Sequence, residues 1–191
     1  MNQGEVKPLG TIGFLTVLEH EQQGLVGGYL ILNTAGRPLE FHCTAPVKAT
    51  RAQQILFGPT LEGYLYGEQI GQTLVSKGSL EPLVVCTDVH RALSVRDYTS
   101  TPVALVVTDA ERARPDSAAT TTSVWRVDAT YSIGANLQPF EIGRNRLAVS
   151  SARDSDRQTI TERLAATAGL DLSEPFERIR EAVEEALKAS C

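Results

Sequence analysis

Acidic side chains stand at the ends of three predicted strands, where they could act together. Glu19, Asp88 and Asp109 each close such a strand, and Glu62 and Glu68 lie on the predicted helix between them. Carboxylates that converge at one edge of a sheet can hold paired Mg²⁺ or Mn²⁺ ions for phosphoryl chemistry. The alternative is that they are ordinary solvated turn residues. The pattern makes Glu19, Glu62, Asp88 and Asp109 the candidate catalytic residues of a metal-dependent enzyme.

Histidine and cysteine form a second set of possible ligands. Three residues separate Cys86 from His90 near a predicted strand end, and His42 and Cys43 are neighbours in an earlier strand. Thiolate and imidazole are ligands that zinc prefers. Adjacent strand residues point to opposite faces, so only one of His42 and Cys43 could join such a site. Because buried free cysteines are common in cores, the sequence predicts no metal here, and His42, Cys86 and His90 are the residues that would form a site.

Motifs for other kinds of catalysis are not found in the sequence. The chain lacks Gly-x-Ser-x-Gly, a Walker loop, Gly-x-Gly-x-x-Gly and His-Glu-x-x-His. Gly27 and Gly28 lie inside an apolar run, where a bulge or a close backbone contact explains them better than phosphate binding. These observations favour a non-catalytic protein.

Three glycines recur at every fourth position of a helix predicted from Thr60 to about Lys77. Gly63, Gly67 and Gly71 therefore lie along one side of that helix. Each costs about 1 kcal/mol of helix stability relative to alanine, and packing must offset this cost. One interpretation is a contact with another chain. The other is that the glycines let the helix sit tightly on its own sheet.

The end of the chain predicts an amphipathic helix that begins after Ser173. Its apolar stripe consists of Phe176, Ile179, Val183 and Leu187. Such a stripe either docks on the sheet of the same chain or binds a partner. Together with the three glycines, it supplies the candidate interface residues.

The first third of the chain predicts an antiparallel meander of three strands. Its apolar runs are 11–18, 25–32 and 38–45, and short polar turns join them. The first two runs are continuous and the third alternates, so we expect the first two strands to be the more buried.

Helices and two further strands are predicted next. Thr50 can cap a short helix that carries Ile55 and Leu56. After the glycine-containing helix, the apolar runs 82–86 and 103–107 indicate strands buried on both faces, with a short helix between them. This order of strand, helix and strand predicts a parallel unit.

The composition changes beyond the end of that unit. Residues 110–123 lack apolar periodicity and predict a mobile loop, and 125–131 alternate like a half-buried strand. Short strands at 140–142 and 147–149 and a pair of helices are expected after it. The predicted organisation is a sheet-and-helix core at 1–109, the loop 110–123, and strands with two helices at 124–191 packed on the same core.

The element order over residues 10 to 108 resembles the ribonuclease-H-like fold. That resemblance implies a nuclease in which carboxylates gather around paired magnesium ions. The sequence departs from the pattern, because the first strand has no central aspartate and Asn33 ends the second. The predicted fold class is α/β or α+β, with one mixed sheet that contains an N-terminal antiparallel meander, a β-α-β unit and a C-terminal helix pair.

Composition and charge restrict the functional classes. Of 191 residues, 42% are hydrophobic and 21% are charged, which is ordinary for a globular protein and excludes collagen-like, coiled-coil and wholly disordered chains. The 18 basic and 23 acidic residues are spread evenly and argue against a nucleic-acid partner. No apolar run is long enough to span a membrane. Three scattered cysteines and a start without signal-peptide features predict a cytoplasmic location.

The leading functional prediction is a non-catalytic cytoplasmic interaction or assembly subunit that oligomerises or docks on a protein partner, without a cofactor. It depends on the glycines, the C-terminal helix and the lack of catalytic motifs. The alternative is a nuclease-like enzyme of ribonuclease-H-like fold that uses the strand-end carboxylates with Mg or Mn.

Overall fold

The computed structural model describes residues 10–107, 136–167 and 169–189. Its strands are β1 (Thr11–His20), β2 (Gly24–Asn33), β3 (Pro38–Cys43), β4 (Val84–Thr87), β5 (Val103–Val106), β6 (Leu137–Ile142) and β7 (Asn145–Ser150). They form one sheet in the order β3-β2-β1-β4-β5-β7-β6. The expected loop 110–123, the expected strand 125–131 and Asp109 lie outside the described residues.

Helices of three kinds accompany the sheet. The longer ones are α1 (Arg51–Phe57), a π-helix (Gly63–Gln72), α2 (Thr73–Lys77), a 3-10 helix (His90–Asp97), α3 (Ser155–Leu164) and α4 (Glu174–Ala189). Single 3-10 turns lie at Gly58–Thr60, Ser151–Arg153 and Ala165–Thr167. In this part of the chain, no helix is both long and apolar enough to cross a membrane.

The predicted meander is confirmed. β1 and β2 pair antiparallel over their whole length, from Thr11 opposite Asn33 to His20 opposite Gly24. β3 pairs antiparallel with β2 and has an irregularity beside Leu32. No residue of β3 is fully buried, whereas most of β1 and β2 is, so the expected difference in burial is confirmed as well.

The predicted parallel unit is also present. β4 pairs parallel with both β1 and β5, while β7 pairs antiparallel with β5 and β6 with β7. The sheet is therefore mixed, as the α/β prediction requires. Its first five strands lie in the order β3-β2-β1-β4-β5.

Alternating side chains divide the core into two sides. Ile12 and Phe14 of β1 face α3 and α4, on what we call the α4 side of the sheet. Leu15 and Val17 face the π-helix and the 3-10 helix, on the π-helix side. Phe14 also meets Phe176 of α4 edge to face, with ring centres 5.6 Å apart. Both faces of the central strands are thus buried.

The expected cap of α1 is confirmed. Gln53 N donates to the Thr50 hydroxyl, and Thr50 N donates to the Gln53 side chain at 2.9 Å. Each side chain thus accepts a hydrogen bond from the backbone N–H of the other residue. The helix ends at Gly58, whose φ of 47° suits glycine.

The predicted helix to Lys77 is present, but its segment Gly63–Gln72 is π-helical rather than α-helical. A β carbon on Gly71 would lie 2.8 Å from the carbonyl oxygen of Tyr66, five residues earlier. In a π-helix this is the carbonyl that receives the backbone N–H of Gly71. Spacing by four does not distinguish the two helix types.

Two helix starts differ from expectation. The predicted helix at 88–95 is the 3-10 helix His90–Asp97. Asp154 stands at the start of α3 without a capping hydrogen bond from its side chain. Asp156 does not cap α3 either, because its carboxylate is bound to Arg96, with Nε 2.5 Å from Oδ2.

Candidate functional site

Glu19 and Glu62 meet at one arginine on the π-helix side. Glu19 Oε1 accepts hydrogen bonds from the Tyr66 hydroxyl at 2.5 Å and from Arg91 Nη1 at 2.9 Å. Glu62 Oε2 lies 3.0 Å from Arg91 Nε. Burial, reinforced by Glu19, raises the pKa of Tyr66 to about 12, so its hydroxyl remains a donor at neutral pH. Both carboxylates are more than half exposed, and such pairs stabilise a protein weakly.

Asp88 follows β4 and lies on the α4 side. Its side chain is 2% exposed, and Oδ2 accepts a hydrogen bond from Arg180 Nη2 of α4. Arg180 Nη1 also donates to Glu177 at 2.8 Å. Burial raises the pKa of the Asp88 carboxyl, while Thr16 and Arg180 act in the opposite direction. Asp88 Oδ1 has no hydrogen-bond partner in the described part of the chain.

The sheet therefore separates the predicted catalytic carboxylates. Glu19 and Glu62 lie on the π-helix side and Asp88 lies on the α4 side. Strand alternation explains the separation, because Glu19 comes three residues after Thr16, which faces Asp88. Asp109 is not described. Within 10–107, 136–167 and 169–189, no three His, Cys, Asp or Glu residues are placed to hold a metal ion.

The structure does not bring the histidine and cysteine candidates together. His42 Nε2 lies 3.2 Å from Glu40 Oε2, and the backbone N–H of Ser79 together with His42 lowers the Glu40 pKa. Cys86 is fully buried on the α4 side, where burial raises the thiol pKa to about 12. His90 begins the 3-10 helix, which packs on the π-helix side, and burial lowers its pKa.

Two glycines of the predicted interface pack inside the chain. A β carbon on Gly67 would lie 2.5 Å from Ser94 Oγ, and one on Gly71 would lie 2.8 Å from Val95 Cγ2. Of the three glycines, Gly63 alone faces open space. Gly67 and Gly71 thus allow the π-helix to approach the 3-10 helix of its own chain. Both glycines therefore lie against a neighbouring helix of their own chain, and the predicted interface role of the three glycines stays a prediction.

The apolar stripe of α4 is internal too. Phe176, Ile179 and Val183 are at most 1% exposed, and Leu187 packs against the same cluster. Gly28 of β2 permits this approach, since a β carbon there would lie 2.3 Å from Ile179 Cγ2. These four side chains pack on the sheet of their own chain, and their predicted role at an interface stays a prediction. The close backbone contact expected at Gly28 is confirmed.

A crevice of about 140 Å³ lies between the start of β1 and the start of α4. Its floor is apolar and includes Phe14. On its rim, Arg178 Nη2 lies 3.1 Å from Glu174 Oε2, and Asp171 accepts hydrogen bonds from the backbone N and hydroxyl of Ser173. The charged groups at the rim are therefore already paired within the chain.

Both edges of the sheet carry a proline. Pro38 begins β3, and Pro139 lies in β6. Proline has no backbone N–H, so it hinders the addition of a further strand. Leu39 and Phe41 of β3 are 43% and 39% exposed, but they lie on this blunted edge.

The most exposed large apolar side chains of the described residues lie on α1. Ile55 is 66% exposed and Leu56 is 82% exposed, and α1 buries none of its residues. The inner side of the helix touches one aromatic residue. Gln53 Nε2 reaches the Tyr64 hydroxyl at 3.5 Å, and Phe57 stacks on Tyr64 with ring centres 4.1 Å apart.

The outward side of α1 consists of Ala52, Ile55 and Leu56, and we call it the α1 face. These positions are three and four residues apart, so they share one side of a helix. No charged residue occurs between Arg51 and Glu62. The α1 face is therefore an uncharged, apolar surface on a two-turn helix.

The sequence matches no protein-family model and no curated protein.

The sequence did not predict the two arginines that pair with the candidate carboxylates. Arg91 and Arg180 bind the candidate carboxylates, yet no local pattern connects either to its partners. The α1 face had a usable signal, because the spacing of Ala52, Ile55 and Leu56 places three apolar side chains on one side of a helix of only seven residues.

Proposed function

We propose that this protein is a non-catalytic assembly subunit of the cytoplasm that docks on another protein through the α1 face. The observation that carries the proposal is the exposure of Ile55 and Leu56, at 66% and 82%, on a helix that buries none of its residues. Large exposed apolar side chains that lie together are typical of protein-interaction sites.

Helix energetics support the same conclusion. A helix of seven residues is too short to be stable alone in water, and in proteins most helix stability comes from the packing of an apolar face. Here the inner side supplies the stack of Phe57 on Tyr64, while the described residues leave the apolar α1 face uncovered. A partner that covers this face would remove Ile55 and Leu56 from water. Full burial of each side chain would stabilise the complex by about 1.5–3 kcal/mol.

The other candidate surfaces are less available to a partner, which supports the proposal. The α4 stripe and two of the three glycines pack within the chain. Both sheet edges carry a proline, which disfavours docking by strand addition.

Site-directed photocrosslinking in the cells that make the protein tests the proposal. A photoreactive amino acid at position 56 should give a discrete covalent adduct with a protein, which mass spectrometry then identifies. The matched control carries the same group at Leu80, an exposed leucine outside the α1 face. No adduct at position 56, or equal adducts at 56 and 80, would overturn the proposal.

One observation favours the nuclease-like alternative, namely Asp88 at the carboxyl end of a parallel strand with one carboxylate oxygen unpartnered among the described residues. Two observations argue against this alternative. Arg180 already binds the other carboxylate oxygen of Asp88, and Glu19 and Glu62 lie on the opposite side of the sheet. If Mn²⁺ binds at Asp88, it should raise the melting temperature of the wild type and not that of Asp88→Asn. An equal response of both proteins would contradict this alternative.

A further inference from the structure

We infer that the occupant of the α1 face is a second copy of this chain, held in a two-fold symmetric contact. This inference rests on the proposed function and adds the identity of the partner. In such a contact, the same surface lies on both sides of the interface and must be complementary to itself.

The charge of the segment meets this requirement. Ten consecutive residues, 52–61, carry no charged side chain. A two-fold axis brings like charges towards one another, so a charged patch would oppose its own copy. A segment without charges can face itself at no electrostatic cost.

The sizes of the side chains along the α1 face favour an antiparallel arrangement. Small Ala52 lies one turn before large Leu56, and Ile55 lies between them. When two such helices cross antiparallel, Leu56 of each copy faces Ala52 of the other. Large side chains then enter the space beside small ones, as close helix packing requires.

The contact is small. One face of a two-turn helix is well below the roughly 800 Å² that each partner buries in a standard interface. We therefore expect a weak dimer, with a dissociation constant of about 1–300 μM, which shifts between monomer and dimer as concentration changes.

Sedimentation equilibrium of the purified full chain tests the inference. The mean mass of the wild type should rise from 20.7 kDa towards twice that value as concentration increases. Leu56→Asp should raise the dissociation constant at least about tenfold, because it places a carboxylate in the apolar contact. Leu80→Asp is the matched control and should dimerise like the wild type. Both leucines are exposed, so each variant should fold, which circular dichroism can check.

A charge-exchange experiment tests the antiparallel arrangement. Ala52→Lys and Leu56→Asp should each dimerise at least about tenfold more weakly than the wild type when alone. Mixed together, they should form a dimer that contains one chain of each kind, because the ammonium introduced at position 52 of one copy then faces the carboxylate introduced at position 56 of the other. A mixture that remains monomeric, while the wild type dimerises, would overturn the antiparallel arrangement.

The outcomes separate this inference from the proposed function. A wild type that stays monomeric up to about 1 mM, or a Leu80→Asp variant that loses the dimer as Leu56→Asp does, would overturn self-association. An adduct of position 56 with a different protein in cells would leave the docking function intact. The absence of both the dimer and the adduct would overturn both proposals.

Discussion

Arg180 of α4 binds Asp88 at the end of β4, across 92 residues of sequence. The two ends of this ion pair differ in exposure, since the Asp88 side chain is 2% exposed and that of Arg180 is 36% exposed. The Asp88 carboxylate is thus buried, while the Arg180 side chain reaches it from a partly exposed position on α4. The pair ties the C-terminal helix to the parallel strands, at the edge where a ligand would be expected in such a sheet.

Removing Arg180 should destabilise the protein in a pH-dependent way. Arg180→Ala leaves Asp88 buried without its counter-charge, and we expect a loss of about 2 kcal/mol in the free energy of unfolding at pH 7. Burial raises the folded-state pKa of Asp88 above its unfolded value. A carboxyl with a raised folded-state pKa loses stability as the pH rises towards that pKa. The deficit should therefore be smaller at pH 4 than at pH 7, because Asp88 takes up a proton as the pH falls. Urea unfolding at both pH values measures it.

The control for this experiment is Arg180→Ala in an Asp88→Asn background. With no carboxylate to neutralise, the loss of the arginine should have the same small effect at both pH values. If Arg180→Ala alone is equally destabilising at pH 4 and pH 7, the arginine acts through packing and not through charge.

The glycines of the π-helix allow a matched comparison between a packed and an open position. A β carbon at position 67 would lie 2.9 Å from Ser94 Cβ and 3.0 Å from the Ser94 carbonyl carbon, so Gly67→Ala should cost about 1–3 kcal/mol. At Gly63 nothing lies within 4 Å, and Gly63→Ala should instead stabilise by about 0.5–1 kcal/mol through helix propensity. Chemical denaturation measures both. Equal effects of the two substitutions would contradict the packing assigned to Gly67.

Local patterns were sufficient to predict most of the fold. Continuous apolar runs indicated β1, β2, β4 and β5, since strands buried on both faces need apolar side chains at every position. Thr50 marked the start of α1 correctly, because a capping side chain acts within a few residues. Short turns between the first three strands left an antiparallel meander as the simplest arrangement.

The candidate site depended on contacts that local patterns do not contain. Gly67 meets Ser94 of a separate helix, and Asp88 meets Arg180 of the last one. Glu19 was predicted at a strand end. That it lies on the opposite side of the sheet from Asp88 became clear only once Thr16 was seen to face Asp88. The four-residue spacing of the π-helix glycines was real, while the surface that packs against them comes from elsewhere in the chain.

Gly28 should be needed for the docking of α4. A β carbon there would lie 2.3 Å from Ile179 Cγ2 and 3.0 Å from Val183 Cγ2, so Gly28→Ala should destabilise by about 1–3 kcal/mol. Ile179→Ala alone should cost about 2–4 kcal/mol by leaving a cavity. In the double variant the new methyl group occupies part of that cavity, so the two losses should sum to more than the loss observed. Strict additivity in urea unfolding would contradict the contact.

The cysteines should differ sharply in reactivity towards a thiol reagent. Cys86 is fully buried and its thiol pKa is raised to about 12, so almost no reactive thiolate is present or accessible at pH 8. Cys43 is half-buried near the sheet edge and is open to attack. In a Cys191→Ser background, the native protein should therefore show one fast-reacting thiol, and the protein in urea should show two. Cys43→Ser should abolish the fast phase, and a fast phase that persists would mean that Cys86 is reached without unfolding.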